Sequence, residues 1–392
     1  MVAPCPLIEV SGSPRERGRQ YGEQAIARIR RGIDHYSAQI SSRRPVGDDI
    51  ATLVRKFEPA IARFDPTYLE EMHGIAEGAE VAFEAIVLLN ARTEILRLAR
   101  RPAAEWAALD EEPDGCTGVV AMPEITKDGR LIHAQNWDWK AECAETAVVL
   151  KVRRDDGPDI LTFTEAGALA RSGFNAAGVA ITANYLETDR DYRRRGVPLA
   201  LIRRKVLEQK QLAASIHAVY TTTKSAANNM IVSQANGIAI DFECAPDETF
   251  QILPKRGLIV HANHFQSPVA LAKLRDTGIA NAPDSLYRDL RVRALIEPHL
   301  GGVTRDVVKD ALFDDFETPW SVCRPPRKYL SSGLSATVAM IVMEPMIGLM
   351  EVAMLPALEQ TFTSYKLDMD IHHPTIPTRP RSGSVAPYVK AI

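Results

Sequence analysis

The sequence predicts an α+β protein in which stacked β-sheets are covered by helices. Three observations support this fold class: helical periodicity in the first part of the chain, short strand-like apolar runs from Cys116 onward, and a helical block between two groups of strands. The chain has 392 residues, of which 46% are hydrophobic, so it can bury a sizeable core.

The segment up to about Arg101 is predicted to be helical. Residues 13–16 (Ser-Pro-Arg-Glu) combine a capping residue, a proline at the first helical position and an acid, and apolar residues then follow at helical spacing. Asp65-Pro66 begins a second helix with its own apolar stripe, and a third helix is predicted over 83–96.

From Cys116 the apolar pattern changes to short runs that are typical of strands. Runs 117–122 and 131–136 flank Asp128-Gly129, and runs 230–234 and 238–242 flank Asn236-Gly237; both dipeptides favour hairpin turns. Further strands are predicted at 147–152, 160–164, 178–183, 258–262, 336–343 and 349–354, and helices at 198–208, 285–300 and 304–313.

Composition excludes several classes of partner. The formal net charge is -3, with 47 Lys+Arg against 50 Asp+Glu, so neither nucleic acid nor an anionic membrane is expected to bind. The basic clusters 193–195 and 203–205 lie among acidic residues and are expected at a solvated surface. Five scattered cysteines argue against a disulfide framework, and no apolar run reaches transmembrane length, so a cytoplasmic protein is expected.

Gly115-Cys116-Thr117 is the most informative tripeptide in the chain. Cleavage between Gly115 and Cys116 would give a cysteine whose thiol is the nucleophile and whose α-amine is the base. Such an amine has a pKa of about 7.7 to 8.0, whereas a backbone amide has no useful basicity. The alternative is that Cys116 is simply a small buried residue.

Two polar residues are candidates to assist Cys116. A hairpin would bring Asp138 back beside Cys116, where its carboxylate can accept a hydrogen bond from the new ammonium or a nearby amide; the alternative is a turn residue between core tryptophans. The Asn263 side chain can donate to a tetrahedral oxyanion, a contact worth about 3 to 4 kcal/mol. His261 and His264 flank Asn263, but no third metal ligand is evident, and this chemistry needs neither metal nor cofactor.

Motifs follow one another in a fixed order along most of the chain. They occupy residues 89–94, 114–117 (Asp-Gly-Cys-Thr), 135–138 (Gln-Asn-Trp-Asp), 164–167, 173–180, 260–264, 284–288 (Asp-Ser-Leu-Tyr-Arg) and 319–324 (Pro-Trp-Ser-Val-Cys-Arg). This pattern resembles the acyl-coenzyme A:isopenicillin N acyltransferase family of N-terminal-nucleophile (Ntn) hydrolases, and the resemblance covers roughly residues 7–355.

The resemblance implies a four-layer αββα sandwich and self-cleavage between Gly115 and Cys116. It divides the chain after residue 115 into a helical α portion (1–115) and a β portion, whose folded part is expected over 116–370. Residues 371–392 are rich in proline and lack periodicity, which predicts an extended C-terminal tail. It assigns Cys116 as the nucleophile, Asp138 as an active-site acid and Asn263 as the oxyanion donor, and it gives Thr117 a part in cleavage. After cleavage, the two fragments are expected to form a heterodimer, and homo-oligomers are possible.

The substrate pocket is predicted with alternatives left open. Arg324 matches an arginine near the family's pocket, although a buried structural salt bridge explains it equally well, and Ser285 is grouped with it as substrate-binding. Trp137 and Phe174 are candidates for an apolar acyl pocket, or else belong to the core. His372-His373, in the tail, is expected to be an isolated surface pair.

One departure from the family bears on the substrate. The penicillin-forming fungal members carry Ser-Arg shortly before an Ala-Thr pair, whereas Ala336-Thr337 is here preceded by Gly-Leu-Ser at 333–335. Without that arginine, a penicillin nucleus or a coenzyme A thioester is a weaker candidate. The leading hypothesis is therefore hydrolysis of a small-molecule N-acyl amide through a Cys116 thioester; acyl transfer to an amine is the alternative, and a binding module is the third hypothesis.

Overall fold

Two β-sheets stack face to face between layers of helices in the computed structural model, which describes residues 2–41, 50–98, 115–328 and 334–371. The α+β sandwich predicted from the sequence is confirmed. The helices are α1 (Pro14–Ser41), α2 (Ile50–Arg55), α3 (Glu58–Phe64), α4 (Pro66–Ala79), α5 (Phe83–Asn90), α6 (Arg92–Leu98), α7 (Leu199–Leu207), α8 (Leu212–Thr221), α9 (Pro268–Leu271), α10 (Ser285–Ile296) and α11 (Arg305–Leu312).

The strands follow in the same numbering, and short 3-10 turns separate some of them. They are β1 (Leu7–Val10), β2 (Gly115–Ala121), β3 (Ile132–Lys140), β4 (Ala147–Val152), β5 (Ile160–Glu165), β6 (Ser172–Asn175), β7 (Val179–Tyr185), β8 (Asn228–Gln234), β9 (Ile238–Cys244), β10 (Thr249–Ile252), β11 (Leu258–His261), β12 (Arg327–Lys328), β13 (Leu334–Glu344), β14 (Leu349–Met354) and β15 (Thr363–Lys366).

The first sheet has the strand order β1-β4-β5-β6-β7-β8-β9-β10 and carries α1, α7 and α8 on its outer face. Its strands pair antiparallel except for β1, which runs parallel to β4. Because β1 precedes Gly115, the N-terminal portion contributes a strand as well as helices. The sequence reading missed this four-residue strand, which is too short to show a clear alternation.

The second sheet has the order β11-β2-β3-β13-β14-β15, and β12 pairs with β13. Helices α10 and α11 cover its outer face, while β2 and β3 face β7 of the first sheet. Strand β2, which begins at Gly115, therefore lies between β11 and β3, with the other sheet on one side and helices on the other.

Most element boundaries in the structure agree with those predicted from local sequence signals, and a few differ. Asp65 caps α4 because its Oδ1 accepts from the Thr67 backbone nitrogen at 3.0 Å. The single helix predicted over 83–96 is two helices, α5 and α6, separated at Ala91. The 203–205 cluster is not at a solvated surface, since Arg203 and Arg204 are both buried.

Other expectations fall outside the described residues: the helix end at 99–101, the tail from 372 onward and the His372-His373 pair. All five cysteines lie in described segments, are buried and form no disulfide. Among the helices that the structure describes, each is too short or too polar to cross a membrane.

His133 on β3 is a buried polar residue between the two sheets. Its Nδ1 lies 2.9 Å from the Ser233 hydroxyl of β8, and its Nε2 lies 2.8 Å from the Thr182 hydroxyl of β7. Burial lowers the pKa of His133 to about 3, so the native protein keeps this imidazole neutral.

His133→Gln is expected to make the protein less sensitive to acid. An unfolded histidine binds a proton near pH 6.5, whereas the folded one stays neutral, so stability is lost as the pH falls below 6.5. Between pH 7.5 and 5, the free energy of unfolding falls by about 2 kcal/mol because of His133, and this contribution is absent from the glutamine variant. Urea unfolding at both pH values, in a Cys116→Ala background that keeps one intact chain, measures the difference; equal acid losses would contradict the prediction.

Candidate active site

Cys116 is fully buried near the start of β2 and directs its thiol toward the first sheet. In the antiparallel register it pairs with Trp137 of β3. Successive side chains of a strand alternate between faces, and Gly118, on the same face as Cys116, lies against Ile231 of β8. The Cys116 Sγ is 3.6 Å from Nη2 of Arg171, which precedes β6. The candidate nucleophile therefore lies in the space between the sheets.

Asp138 pairs with Gly115, so its backbone lies beside the predicted cleavage position. Its side chain, however, is on the opposite face of the sheet from the Cys116 thiol. Oδ1 accepts a hydrogen bond from the Thr337 hydroxyl at 2.7 Å, and Oδ2 forms an ion pair with Arg324 Nε at 3.2 Å. The hairpin thus brings Asp138 beside the start of β2, but in the uncleaved chain its carboxylate contacts Thr337 and Arg324, and the Cys116 amide donates to Asn263 instead.

Asn263, two residues beyond β11, makes the contact that the sequence analysis expected of Asp138. Its Oδ1 accepts from the Cys116 backbone nitrogen at 2.8 Å and from Arg288 Nη2 at 2.8 Å, while its Nδ2 donates to the Tyr185 carbonyl at 2.8 Å. Two donors converge on Oδ1, which supports this orientation of the amide. In the uncleaved chain the Asn263 amide donor is therefore engaged, and its role toward an oxyanion stays a prediction.

Arg288 is the residue at the centre of this site that the sequence analysis did not single out. It lies on α10 and is fully buried. Its Nη1 donates to the Cys116 carbonyl at 2.7 Å and to the Thr117 hydroxyl at 3.0 Å, and its Nε donates to Asp284 at 2.8 Å. One guanidinium thus joins the candidate nucleophile, Thr117 and Asn263, which its fixed fork of donors allows and an ammonium would not.

Arg324 lies in a buried ion network rather than on an open pocket wall. It contacts both Asp138 and Asp284, and Asp284 also binds Arg288. Burial alone would raise the pKa of Asp284, but the charges of Arg324 and Arg288 outweigh it and lower that pKa. Two carboxylates and two guanidiniums therefore alternate beneath the start of β2.

The Ser285 side chain holds the backbone of Asn263 in place. The Ser285 hydroxyl accepts from the Asn263 nitrogen at 2.7 Å, and it lies 2.8 Å from Nδ1 of His264. Burial, with the positive charges of His261 and Arg288, lowers the pKa of His264 to about 4. A neutral His264 can accept the hydroxyl proton at Nδ1, so Ser285 is satisfied on both sides.

His261 and His264, which flank Asn263, are both engaged in hydrogen bonds. His261 Nε2 lies 2.8 Å from Glu243, and its Nδ1 lies 2.9 Å from the Ala262 carbonyl. Burial alone would lower the pKa of His261, but Asp241 and Glu243 raise it to about 9, so both ring nitrogens carry protons. Within the described ranges, no three His, Cys, Asp or Glu side chains converge on a metal position.

The two aromatic residues predicted for the acyl pocket are fully buried. The Trp137 ring packs against Phe163 with centroids 5.7 Å apart, and the Arg171 guanidinium lies 4.3 Å from the Trp137 ring centroid. Phe174 is on β6, on the same face as Ser172, whose hydroxyl bonds to Gln135 of the second sheet at 2.6 Å. Trp137 lies directly beside Cys116, while Phe174 is part of the core between the sheets.

Known proteins share sequence features with this chain. A sequence profile of the acyl-coenzyme A:6-aminopenicillanic acid acyl-transferase family matches residues 125–353. The acyl-coenzyme A:6-aminopenicillanic-acid-acyltransferase 40 kDa form of Emericella nidulans is 30% identical over 331 residues, covering 83% of this chain and 86% of the fungal protein.

Solved structures give weaker matches. A mutant conjugated bile acid hydrolase from Clostridium perfringens aligns with a TM-score of 0.44 and 12% identity, over 64% of this chain and 92% of that one. The Caenorhabditis elegans ortholog of N-acylethanolamine-hydrolyzing acid amidase aligns with a TM-score of 0.43 and 15% identity, over 64% of this chain and 100% of that one.

The two sequence matches place this protein in a class of acyltransferase-family enzymes. Specifically, the chain belongs to the acyl-coenzyme A:6-aminopenicillanic acid acyl-transferase family.

Proposed function

We propose that this protein cleaves itself between Gly115 and Cys116 and then hydrolyses the C–N bond of a small-molecule N-acyl amide through a thioester on Cys116. The observation that carries the proposal is the contact between the Cys116 nitrogen and Asn263 Oδ1 at 2.8 Å. An acceptor is already in place for the α-amine that cleavage would release, so the freed amine would stay beside its own thiol.

Self-cleavage would begin with attack of Cys116 Sγ on the Gly115 carbonyl carbon. The Gly115–Cys116 C–N bond breaks, the nitrogen takes up a proton, and a thioester links Gly115 to the sulfur. Water then hydrolyses the thioester, leaving a carboxylate on Gly115 and a free thiol and amine on Cys116. The Arg288 contact to the Cys116 carbonyl fixes the nucleophile's backbone during these steps.

Turnover would use the same atoms. The thiol proton passes to the α-amine, and the thiolate attacks the substrate carbonyl to give a tetrahedral oxyanion. The C–N bond breaks, the ammonium returns its proton to the leaving amine, and the acyl group stays on sulfur. The α-amine then takes a proton from an attacking water, which forms a second tetrahedral oxyanion on the acyl carbon. The C–S bond breaks, the acid is released, and the ammonium returns its proton to the Cys116 thiolate. Asn263 Nδ2 is our candidate oxyanion donor once the Tyr185 carbonyl releases it.

The fragments 1–115 and 116–392 are proposed to stay together after cleavage. Strand β1 belongs to the first fragment but pairs with β4 of the second, from Leu7 opposite Val149 to Val10 opposite Val152. The hydroxyl of buried Tyr21, on α1, bonds to the Glu165 carbonyl at 3.3 Å. Backbone pairing and buried contacts of this kind would hold a heterodimer without the covalent bond.

Acyl transfer to an amine is the second candidate, and the activity in the name of the Emericella relative favours it. An amine instead of water would then attack the same thioester, so the two reactions share every proposed catalytic residue. Hydrolysis is favoured by the segment 333–335, which is Gly-Leu-Ser here and lacks the arginine that the penicillin-forming fungal members carry.

Intact mass under denaturing conditions, for the wild type and Cys116→Ala, tests the proposal first. Two fragments ending at Gly115 and starting at Cys116 are expected from the wild type, and one intact chain from the variant. A panel of N-acyl amides, with and without added amines, is then followed by product analysis: free acid supports hydrolysis, and an amine-dependent amide product supports transfer. A processed Cys116→Ala chain would refute self-cleavage by this cysteine.

A further inference from the structure

Arg171 brings a positive charge to the candidate nucleophile from the other sheet. It lies between β5 and β6 and is only 6% exposed, and its Nη2 is 3.6 Å from Cys116 Sγ. The guanidinium carbon also lies 4.3 Å from the Trp137 ring centroid, beside the residue that pairs with Cys116. A cation in contact with a cysteine sulfur favours the thiolate, which is the reactive form.

Hydrogen bonding within the fold does not account for the burial of the Arg171 guanidinium. Its Nε is buried and makes no hydrogen bond among the described residues. A buried guanidinium that lacks part of its hydrogen bonding costs stability, so a purely structural role would favour replacement by an apolar residue. The guanidinium contacts the Cys116 sulfur, which is a weak acceptor, and the face of the Trp137 ring. Its charge also acts on the Glu165 carboxylate, which Arg92 and Tyr36 already hold.

The surroundings of Arg171 leave its charge only partly neutralised. A cavity of about 20 Å³ at Arg171 has charged walls from α6, β5 and α7: Arg92 and Glu94, Glu165, and Arg203. Glu165 is held by Arg92 at 2.6 Å and by the Tyr36 hydroxyl. Three arginines therefore face two glutamates across this cavity, a formal charge of +1.

Titration of the neighbouring groups does not remove that positive charge. Burial raises the pKa of Glu94, which makes it a weaker counter-charge, while Arg92 and Tyr36 outweigh burial and lower the pKa of Glu165. On the second sheet, His133 points into the same inter-sheet space and is neutral. Across β2, on its helix-covered face, lie the Arg288, Arg324, Asp138 and Asp284 charges.

We propose that Arg171 is a catalytic residue that stabilises the Cys116 thiolate in the cleaved enzyme. When the thiol proton moves to the α-amine, the sulfur gains a negative charge 3.6 Å from a fixed guanidinium. On attack, that charge leaves the sulfur for the carbonyl oxygen, and it returns when the thioester is hydrolysed. The proposal rests on the proposed function, because only cleavage frees the amine that takes the proton.

The pH dependence of Cys116 alkylation by iodoacetamide tests this, because the thiolate is the species that reacts. Cleaved wild type, Arg171→Met, Arg171→Lys and Arg291→Met are compared, with peptide mass spectrometry reading Cys116 alone and steady-state kinetics on the same samples. Arg291 is the control for loss of a positive charge outside this cavity, an arginine of α10 paired with Asp314. Self-cleavage and thermal melting verify that each variant is folded.

Arg171→Met is expected to move the alkylation midpoint up by about one pH unit, so that the thiolate fraction below the midpoint falls about tenfold. kcat is expected to fall by a similar factor with little change in KM. Arg171→Lys keeps the charge and is expected to keep most of the reactivity, and Arg291→Met is expected to match the wild type.

Several results would overturn the assignment. An unchanged alkylation profile in cleaved Arg171→Met would do so, and so would a rise in KM alone, which would make Arg171 a substrate-binding residue. If Arg171→Met does not mature, cleaved Arg171→Lys decides: a midpoint at the wild-type pH supports the charge, and a full shift contradicts it. If the wild-type chain never cleaves, the proposed function and this proposal are both refuted. If the wild type does cleave, the Arg171 variants test this proposal separately from the proposed function.

Discussion

Gly115→Ala is expected to slow self-cleavage about a hundredfold, the loss that a displacement near 1 Å produces at a reacting centre. A Cβ at this position would lie 2.7 Å from Asp138 Oδ2, 2.9 Å from Asp138 Cβ and 3.1 Å from Arg324 Cζ. Neither neighbour is free to move aside, since Thr337 holds Asp138 and Asp284 holds Arg324. The backbone at the proposed cleavage bond must therefore shift.

Time-resolved intact mass during cell-free synthesis measures the cleavage rate, and Gly118→Ala is the matched control. Gly118 faces the opposite side of β2 from Gly115. A Cβ at Gly118 would lie 2.8 Å from Ile231 Cδ1, which is the flexible end of a side chain on β8. Gly118→Ala is expected to cleave within a few-fold of the wild type despite the added methyl group. If Gly115→Ala matured as fast as Gly118→Ala, close packing around Gly115 would have no part in cleavage.

Much of the fold could be predicted from the sequence, because each sheet is built mainly from hairpins with strong local signals. Asn236-Gly237 and the apolar runs beside it predict the β8–β9 pair, which the structure confirms. Local pattern could not predict β1, since its partner β4 lies far along the chain, and a four-residue strand carries little periodicity. Nor could it show that Arg203 and Arg204 are buried, because their burial depends on tertiary packing.

Prediction of the candidate active site from the sequence has a similar limit. The sequence placed Cys116, Asp138 and Asn263 in one region, and the structure brings all three to the start of β2. Which face each side chain occupies depends on register, because one residue along a strand reverses the face. Cys116 pairs with Trp137, so the Asp138 carboxylate lies across the sheet from the thiol, and Asn263 contacts the Cys116 nitrogen instead.

Two arginines of the site were given no role by the sequence, although Arg288 ends one of its motifs. Arg288 lies on a helix with other arginines close by, a composition that usually indicates a solvated face. Arg171 precedes a short strand and reaches Cys116 only because the two sheets stack. Both interactions join residues far apart in the chain, so only the three-dimensional structure shows them.

Arg288→Gln is expected to lower the free energy of unfolding by about 3 to 5 kcal/mol and to slow self-cleavage about a hundredfold. The substitution removes donors from Asp284, the Cys116 carbonyl and Asn263 together, and all of these acceptors are buried. Asp284 keeps its ion pair with Arg324, so the network is weakened rather than emptied. Urea unfolding in a Cys116→Ala background measures the stability, and intact mass measures cleavage in chains with native circular dichroism.

Two further variants separate the roles of charge and geometry at this position. Arg291→Gln, on the same helix, removes a partly exposed arginine paired with Asp314 and is expected to cost at most about 1 kcal/mol without slowing cleavage. Arg288→Lys keeps the charge beside Asp284, but one ammonium cannot span the Cys116 carbonyl and Asn263 as the guanidinium does. Lysine is therefore expected to restore part of the stability but little of the cleavage rate. Full recovery of cleavage by lysine would mean that charge alone, and not the forked geometry of Arg288, aligns the nucleophile.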